Sequence, residues 1–173
     1  MTMTLSGDGS ITGLAAGGLP DATITQADLA AGVAGTGPAF SATTGALTVS
    51  TSTWTKIPFN AEQFDTNSNY DTTLYRFTPT VAGYYQFSIQ LFMGFSTGRG
   101  ALSIYKNGAT TIERLDLGSN TNGGQSFSTN GMISMNGTTD YVEAYVYQES
   151  GGNVAINTSS NLTLFQGFLV RAT

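Results

Sequence analysis

The sequence predicts an all-β fold built as a sandwich of two sheets. Residues 85–93 alternate between an apolar face and a polar face, which is the period-two pattern of a strand with one side in a core. The apolar face carries Tyr85, Phe87, Ile89, Leu91 and Met93, and the polar face carries Gln86, Ser88 and Gln90. Short strands separated by Gly, Asn and Ser clusters then recur to residue 170. This spacing is typical of a β-sandwich or barrel.

Turn residues divide the second half of the chain into further strands. Gly83 follows Thr80-Val81-Ala82 as a breaker at which the chain can reverse direction. Asn107-Gly108 is the sequence of a two-residue hairpin turn. The strands predicted from these signals cover residues 101–105, 110–117, 127–135, 141–147 and 162–170.

Residues 67–92 combine a polar turn, a strand, a Pro-containing corner and a second strand. In the order and spacing of its residues, this stretch resembles the central signature of the globular C1q-like (C1q/TNF) jelly roll. The residues that carry the resemblance are Asn67, Tyr70, Phe77, Pro79, Gly83, Tyr85 and Phe87. The opening strand of the family resembles residues 38–42, and its short second segment resembles residues 58–60. The start of its penultimate strand resembles residues 140–142, and its closing strand resembles residues 165–169. Thr139 departs from the family, which usually has Gly there. The resemblance implies a C1q/TNF-like jelly-roll sandwich that is homotrimeric and has a binding or structural role.

The first 37 residues differ in composition from the rest of the chain. They are rich in Gly, Ala and Thr, with no aromatic and no basic residue, so they cannot build a core of their own. We therefore expect an extended N-terminal docking arm at residues 1–37 and a jelly-roll head at residues 38–173. A capping box at residues 25–28 favours one short helical turn. The isolated apolar side chains expected to act as anchors are Ile11, Leu14, Leu19, Ile24 and Leu29.

The arm also resembles the Gly/Ala-rich leader segments of bacteriophage virion appendage proteins. In those proteins a thin arm docks a trimeric head to the particle. A flexible linker is the alternative interpretation of the same composition.

Charge and missing residue types restrict the function. With 6 Lys and Arg against 11 Asp and Glu, the net charge of -5 argues against nucleic acid as a partner, because phosphate contacts need a cationic surface. The absence of Cys and His argues against thiol catalysis, Cys/His zinc sites and His-based triads. We expect no cofactor. Neither a signal-peptide pattern nor an apolar run of membrane-spanning length is present, so we expect synthesis in a host cytoplasm, no membrane insertion and location in the virion.

Several carboxylates are candidate metal ligands. Residues 65–71 alternate oxygen ligands as a calcium loop does, but Tyr70 stands where the sharp turn needs Gly and Arg76 where a bidentate Glu is required. The segment is therefore interpreted as a polar connection that places Tyr70 in the core. Because some C1q-like heads bind calcium through loop carboxylates, Asp65, Asp71 and Asp140 are weak candidates, and no metal ligand is assigned.

Paired carboxylates were also weighed as a catalytic site. Glu113 with Asp116, or Asp140 with Glu143, would need a separation of about 5 to 10 Å across a cleft to act as a glycosidase pair. Carboxylates on short strands and turns are usually solvated, and a single jelly-roll domain offers few clefts. We expect no enzymatic activity.

The closing strand is apolar on both sides, which bears on self-association. Leu164, Phe168 and Val170 share one face and Phe165, Gly167 and Leu169 the other, whereas a two-layer sandwich has one interior. In the C1q-like family the corresponding strand lines the threefold interface. The residues predicted to form the trimer interface are Phe165 and Leu169, with Ser88 and Gln90 beside them.

A tyrosine stripe is the predicted ligand surface. Tyr141, Tyr145 and Tyr147 share a strand face with Glu143, opposite Val142, Ala144 and Val146. Aromatic rings with a polar tip suit stacking on sugars at a partly wet surface. The alternative is that neighbouring strands or another subunit cover the stripe.

Together these features predict a homotrimeric structural protein of a bacteriophage particle. The expected role is a short tail fibre or other appendage whose head contacts a glycan or protein of the host surface, and whose arm binds other virion proteins. A capsid decoration protein is the alternative in the same class. A free bacterial C1q-like ligand-binding module is the alternative in a different class.

Overall fold

The described part of the chain consists of β-strands joined by turns. The computed structural model describes residues 4–5, 11–12, 37–94, 97–108, 110–117, 125–156 and 163–173, and no helix occurs among them. The strands are β1 (Thr4–Leu5), β2 (Ile11–Thr12), β3 (Ala39–Thr43), β4 (Thr48–Val49), β5 (Thr55–Lys56), β6 (Ala61–Asp65), β7 (Tyr70–Asp71), β8 (Arg76–Phe77), β9 (Gly83–Met93), β10 (Gly100–Lys106), β11 (Thr110–Leu117), β12 (Gln125–Met135), β13 (Val142–Gln148), β14 (Val154–Ala155) and β15 (Leu164–Ala172).

The chain divides into two compact units, Met1–Ala30 and Ala31–Thr173. In the first unit, β1 and β2 form a small antiparallel ladder in which Leu5 pairs with Ile11. The other predicted anchors and the predicted helical turn lie outside the described residues. These anchors are Leu14, Leu19, Ile24 and Leu29. The predicted head, residues 38–173, lies inside the second unit.

Two antiparallel sheets make up the second unit. The five-stranded sheet has the order β12-β9-β15-β3-β6. The other sheet has the order β11-β10-β13-β8-β7, with β5 also pairing β13. β14 and β4 form a further short ladder, whose residues Val154 and Val49 are buried in the hydrophobic core. β7 pairs with β8 and β10 with β11, but most other neighbours are distant in sequence, as the long connections of a jelly roll require. The predicted all-β jelly-roll sandwich is confirmed.

Inward-facing side chains of both sheets fill one core. The alternation predicted for residues 85–93 is confirmed, because all five odd-numbered side chains of this stretch are fully buried in β9. Leu102 and Ile104 of β10 and Val146 of β13 are buried in the same core. Full burial of a large apolar side chain contributes about 1.5 to 3 kcal/mol, so this strand alone is a major source of stability.

The polar segment after β6 places Tyr70 in the core, as predicted. The Tyr70 hydroxyl donates to the carbonyl of Phe59 at 2.9 Å, so its one polar group is satisfied where the ring is buried. The Asp65 carboxylate accepts the N–H groups of Tyr70 at 2.7 Å and Asn67 at 3.2 Å. Burial raises the pKa of Tyr70 above that of a free tyrosine.

Two glycines predicted at chain reversals have different roles. Asn107 and Gly108 adopt φ angles of 57° and 68°, as in a type I′ turn, but Lys106 pairs with Thr110, so three residues and not the predicted two connect β10 and β11. Gly83, by contrast, is the first residue of β9 and does not reverse the chain. A Cβ atom there would lie 2.4 Å from the Arg171 carbonyl oxygen, so the position is glycine because β9 and β15 approach each other closely.

Candidate association and ligand surfaces

The inner side of β15 belongs to the core of a single chain. Phe165 and Leu169 are buried there, and the Phe165 ring contacts the rings of Phe40 at 5.0 Å and Phe59 at 5.6 Å. Their assignment to the trimer interface is therefore corrected: side chains enclosed between the two sheets offer no surface to a second copy. Any contact between copies through β15 involves its opposite side.

Large apolar side chains are concentrated on the outer side of the five-stranded sheet. Among the described residues, five such side chains are exposed, and four of them lie on this side. The four define the apolar face and are Phe64 (51% exposed), Tyr84 (44%), Met132 (57%) and Phe168 (52%). Contiguous exposed apolar surface on a soluble protein marks an interaction site.

Strand register places Met132 and Phe168 of the apolar face on either side of Gln86. Met132 on β12 pairs with Gln86 on β9, which pairs in turn with Phe168 on β15. With neighbouring strands about 4.8 Å apart, Met132 and Phe168 are roughly 10 Å from each other. Ser88 and Gln90 follow on the same side of β9 and are partly exposed, so they remain predicted members of an interface.

A cavity opens on the apolar face beside Phe168. It measures about 260 Å³, and its lining includes the rings of Phe64 and Phe168 and the polar groups of Gln86, Ser88 and Gln166. Gln166 donates to the Ser41 hydroxyl at 3.1 Å, and Ser41 donates to Gln63 at 2.7 Å. These hydrogen bonds hold the floor of the cavity, which is large enough to accept an apolar side chain.

The predicted tyrosine stripe lies on the outer side of the other sheet. Tyr141, Tyr145 and Tyr147 are partly exposed, whereas Val142, Ala144 and Val146 are buried on the opposite side of the strand. The structure thus places the three tyrosines on one side of the sheet, as predicted. Whether a ligand binds there stays a prediction.

Two further aromatic residues, which the sequence analysis missed, join the stripe. Tyr105 stacks on Tyr145 with ring centroids 4.1 Å apart, and Trp54 lies 5.3 Å from Tyr147. Neighbouring strands therefore cover part of the stripe. Local sequence carries no signal for this contact, because it depends on the pairing of β10 with β13. Trp54, Tyr105, Tyr145 and Tyr147 are called the aromatic face below.

A partly buried ion pair lies beside the aromatic face. Lys56 of β5 binds the buried carboxylate of Glu143 and also donates to the Leu74 carbonyl at 2.6 Å. The Tyr145 hydroxyl lies 3.5 Å from the same carboxylate. Burial and then the Glu143 charge raise the pKa of Tyr145. A hydrogen bond to Glu149 raises the pKa of Tyr147. Both tyrosines therefore carry neutral hydroxyl groups at neutral pH.

Two carboxylates that are candidates for a catalytic pair, Asp140 and Glu143, each form an ion pair with a lysine. Asp140 binds Lys106 at 2.8 Å and accepts the Asn136 N–H at 3.0 Å, and Glu143 has its own lysine. Burial opposes ionisation of Asp140, but the bonds from Lys106, Asn107 and Asn136 lower its pKa. The side chains of Glu113 and Asp116 lie outside the described residues. Within the described part of the chain, no cluster of three or more acidic residues could hold a metal ion.

Over the ranges that the structure describes, no helix has the length and apolar character needed to cross a membrane.

Comparison with known proteins identifies the fold and the family. Solved structures with the same fold include murine APRIL at pH 5.0 (11% identity, TM-score 0.63, 77% of this chain and 98% of that chain), the globular domain of zebrafish complement 1qA protein (22%, 0.56, 79% and 98%) and Eiger TNF from S. frugiperda (11%, 0.58, 78% and 93%). No curated protein matches the chain in sequence. The family model described as C1q domain matches residues 39–170, which include both sheets and both surfaces described above. The chain therefore belongs to the C1q domain family.

Proposed function

We propose that the protein is a homotrimeric structural component of a bacteriophage particle, a short tail fibre or similar appendage. Its C1q-domain head contacts the host surface, and its N-terminal residues anchor it to the virion. The head acts by binding and not by catalysis.

The apolar face carries the proposal of self-association. Four exposed apolar side chains on one side of one sheet need a cover, and a further copy of the chain supplies it. The two ends of this sheet differ: Met132 protrudes from the β12 edge strand, whereas the cavity beside Phe64 lies toward the β6 edge strand. A contact between unlike ends is heterologous, and such contacts close into a ring when the rotation permits. A trimer is the ring that the family resemblance implies.

The N-terminal composition supports the anchoring role. Residues 1–37 bury little area per residue, so their ordering entropy of about 1 to 2 kcal/mol per residue must be offset by contacts with a partner. Widely spaced apolar residues such as Ile11 and Leu19 suit successive pockets on a particle surface. Because this segment resembles virion leader segments, we propose other virion proteins as its partner.

The aromatic face supplies the proposed contact with the host surface. It lies on the sheet opposite the apolar face, so association through the latter leaves it accessible. Partly exposed Tyr and Trp rings with hydroxyl or indole tips suit glycan or protein surfaces. Weak binding by each head is sufficient, because three heads in one trimer act together.

A truncated chain tests the proposal. A protein that begins at Thr36 should keep the oligomeric state and melting temperature of the full chain but fail to join particles in a reconstitution assay. The full-length protein, with a matched tag, is the control. Incorporation of the truncated protein at the full-length level would refute the anchoring role, and its unfolding would show that the N-terminal residues belong to the head.

A further inference from the structure

A polar cleft lies at the edge of the second sheet, where β7 and β8 join. It has a volume of about 470 Å³ and is open to solvent. We call it the corner cleft. Its lining residues are Ser68, Asn69, Tyr70, Asp71, Thr72, Arg76, Thr78 and Thr80.

Arg76 presents unused hydrogen-bond donors to the corner cleft. Its guanidinium lies 4.6 Å from the centre of the Tyr141 ring, a cation–π arrangement that fixes the plane of the group. Among the described residues the guanidinium makes no hydrogen bond and no direct ion pair, although Asp71, its cross-strand neighbour in the β7–β8 ladder, interacts with it electrostatically. A guanidinium carries five N–H donors in a rigid fork that matches a carboxylate bidentately. The group is therefore held beside Tyr141, and its N–H donors make no hydrogen bond to the described residues.

Hydroxyl groups line the same cleft without partners. The side-chain hydroxyls of Ser68, Thr72 and Thr78 have no hydrogen bond to the described residues. Each hydroxyl both donates and accepts, so the three together suit a ligand that carries several hydroxyls of its own.

A buried asparagine holds the wall of the corner cleft. The Asn69 side-chain carbonyl accepts the Thr80 N–H at 3.2 Å, and its amide donates to the Asn67 carbonyl at 3.0 Å. The Asn69 backbone carbonyl accepts the Thr78 N–H at 2.8 Å. Because these bonds are made within the chain, they hold the wall in place, and binding needs little further ordering.

One carboxylate also lines the cleft and limits which anions fit. The same Oδ1 atom of Asp71 accepts the N–H groups of Thr73 and Leu74, both at 2.8 Å. The negative charge of Asp71 repels any anion that approaches Arg76, and it repels a phosphate, which carries more charge, more strongly than a single carboxylate. A single carboxylate on a polyhydroxylated ring can approach Arg76 while its hydroxyls face Asp71 and the threonines.

We propose that the corner cleft binds a uronic acid residue of an acidic saccharide. Arg76 takes the sugar carboxylate, and the hydroxyls of Ser68, Thr72 and Thr78 bind the ring hydroxyls. The inference rests on the proposed function, because it names the chemical class of the host-surface ligand. It also adds a site, next to Tyr141, that lies outside the aromatic face.

Titration of the full-length protein with three small probes tests the site. Methyl β-D-glucuronide should shift amide resonances of residues 68–80 and bind at least tenfold more tightly than methyl β-D-glucoside, which lacks the carboxylate. Inorganic phosphate should bind no better than the glucoside. Arg76→Gln should weaken glucuronide binding at least tenfold, and Arg76→Lys should weaken it nearly as much, because an ammonium lacks the bidentate fork.

Matched variants separate the site from general effects. Arg171→Gln removes an exposed cationic residue of β15 and should leave the affinity unchanged, whereas Thr78→Val should weaken binding severalfold without changing charge. Equal binding of glucuronide and glucoside, stronger binding of phosphate, or unchanged affinity in Arg76→Gln would each overturn the proposal. The titration uses no phage particle. A negative titration would therefore refute the saccharide site alone, whereas the reconstitution assay with the truncated protein tests the anchoring role.

Discussion

The rings of Phe40 and Phe77 stack across the interior of the sandwich, with centroids 4.6 Å apart and planes inclined by 16°. Phe40 belongs to the five-stranded sheet and Phe77 to the other, so this pair joins the two layers. Tyr70 stacks on Phe40 as well, at 4.9 Å. The arrangement explains why the polar segment before β7 must deliver an aromatic ring to the core.

Removal of one ring of this pair should strongly destabilise the head. We expect Phe77→Ala to lower the free energy of unfolding by about 3 to 5 kcal/mol, because a fully buried ring is replaced by a cavity. Urea denaturation followed by fluorescence measures the change. Leu74→Ala, at a position that is 45% exposed, is the control and should change stability by less than about 1 kcal/mol. A loss below about 1 kcal/mol for Phe77→Ala would contradict the structure.

Gly167 should tolerate no side chain. A Cβ atom there would lie 2.5 Å from the Phe87 ring and 2.8 Å from the Phe40 ring, so Gly167→Ala forces rings of a packed core to move. The expected destabilisation is about 1 to 3 kcal/mol, measured as a lower urea midpoint. Gly152→Ala adds the same methyl group where no atom lies within 4 Å and should leave the midpoint unchanged.

Disruption of the apolar face should dissociate the protein without unfolding it. Light scattering after size exclusion should give the mass of a trimer for the unmodified chain and of a monomer for Phe168→Asp. Because Phe168 is half exposed in the single chain, the circular dichroism spectrum should stay the same. Leu74→Asp places the same charge at a similarly exposed site away from this face and should remain trimeric. A monomeric unmodified protein at micromolar concentration would refute self-association.

Alkaline pH should destabilise the head through its buried tyrosines. The Tyr85 hydroxyl donates to the Val81 carbonyl at 2.8 Å, and burial raises the pKa of Tyr85 to about 12. A pKa raised in the folded state adds stability below the unfolded pKa of about 10, and this stability is lost as pH rises toward 12. The urea midpoint should therefore fall between pH 10 and pH 12. In Tyr85→Phe the urea midpoint should fall less steeply with pH. An equal slope in both proteins would show that another group causes the loss of stability.

Strand positions followed well from the sequence where one side of a strand is apolar and the other polar. Residues 85–93 have this contrast, so their inner side was assigned correctly. In β15 both sides are apolar, and periodicity cannot then distinguish the interior from an exposed side. Gly167 lies between Phe165 and Leu169, where two rings crowd the backbone, so the side of β15 that carries this glycine is the inner one.

Residues that meet only through tertiary structure escaped the sequence analysis. Trp54 and Tyr105 come from different strands than Tyr145, and strand order alone brings the three rings together. Arg76 was considered only as a mismatch in a calcium loop. Its position over Tyr141 depends on the pairing of β8 with β13, which local sequence does not specify.

Because β15 lies between β9 and β3, the five-stranded sheet cannot be completed until the end of the chain has been synthesised. These three strands are adjacent in space, but β15 is made more than 70 residues after β9. A nascent chain that has not yet reached Leu164 exposes the long edge of β9 and the short edge of β3, both apolar on one side and unpaired. Such edges favour aggregation, so the ribosome-bound intermediate is the vulnerable state of this protein. Slower translation would lengthen that exposure, and a chaperone that shields β9 would protect the chain until the sheet can close.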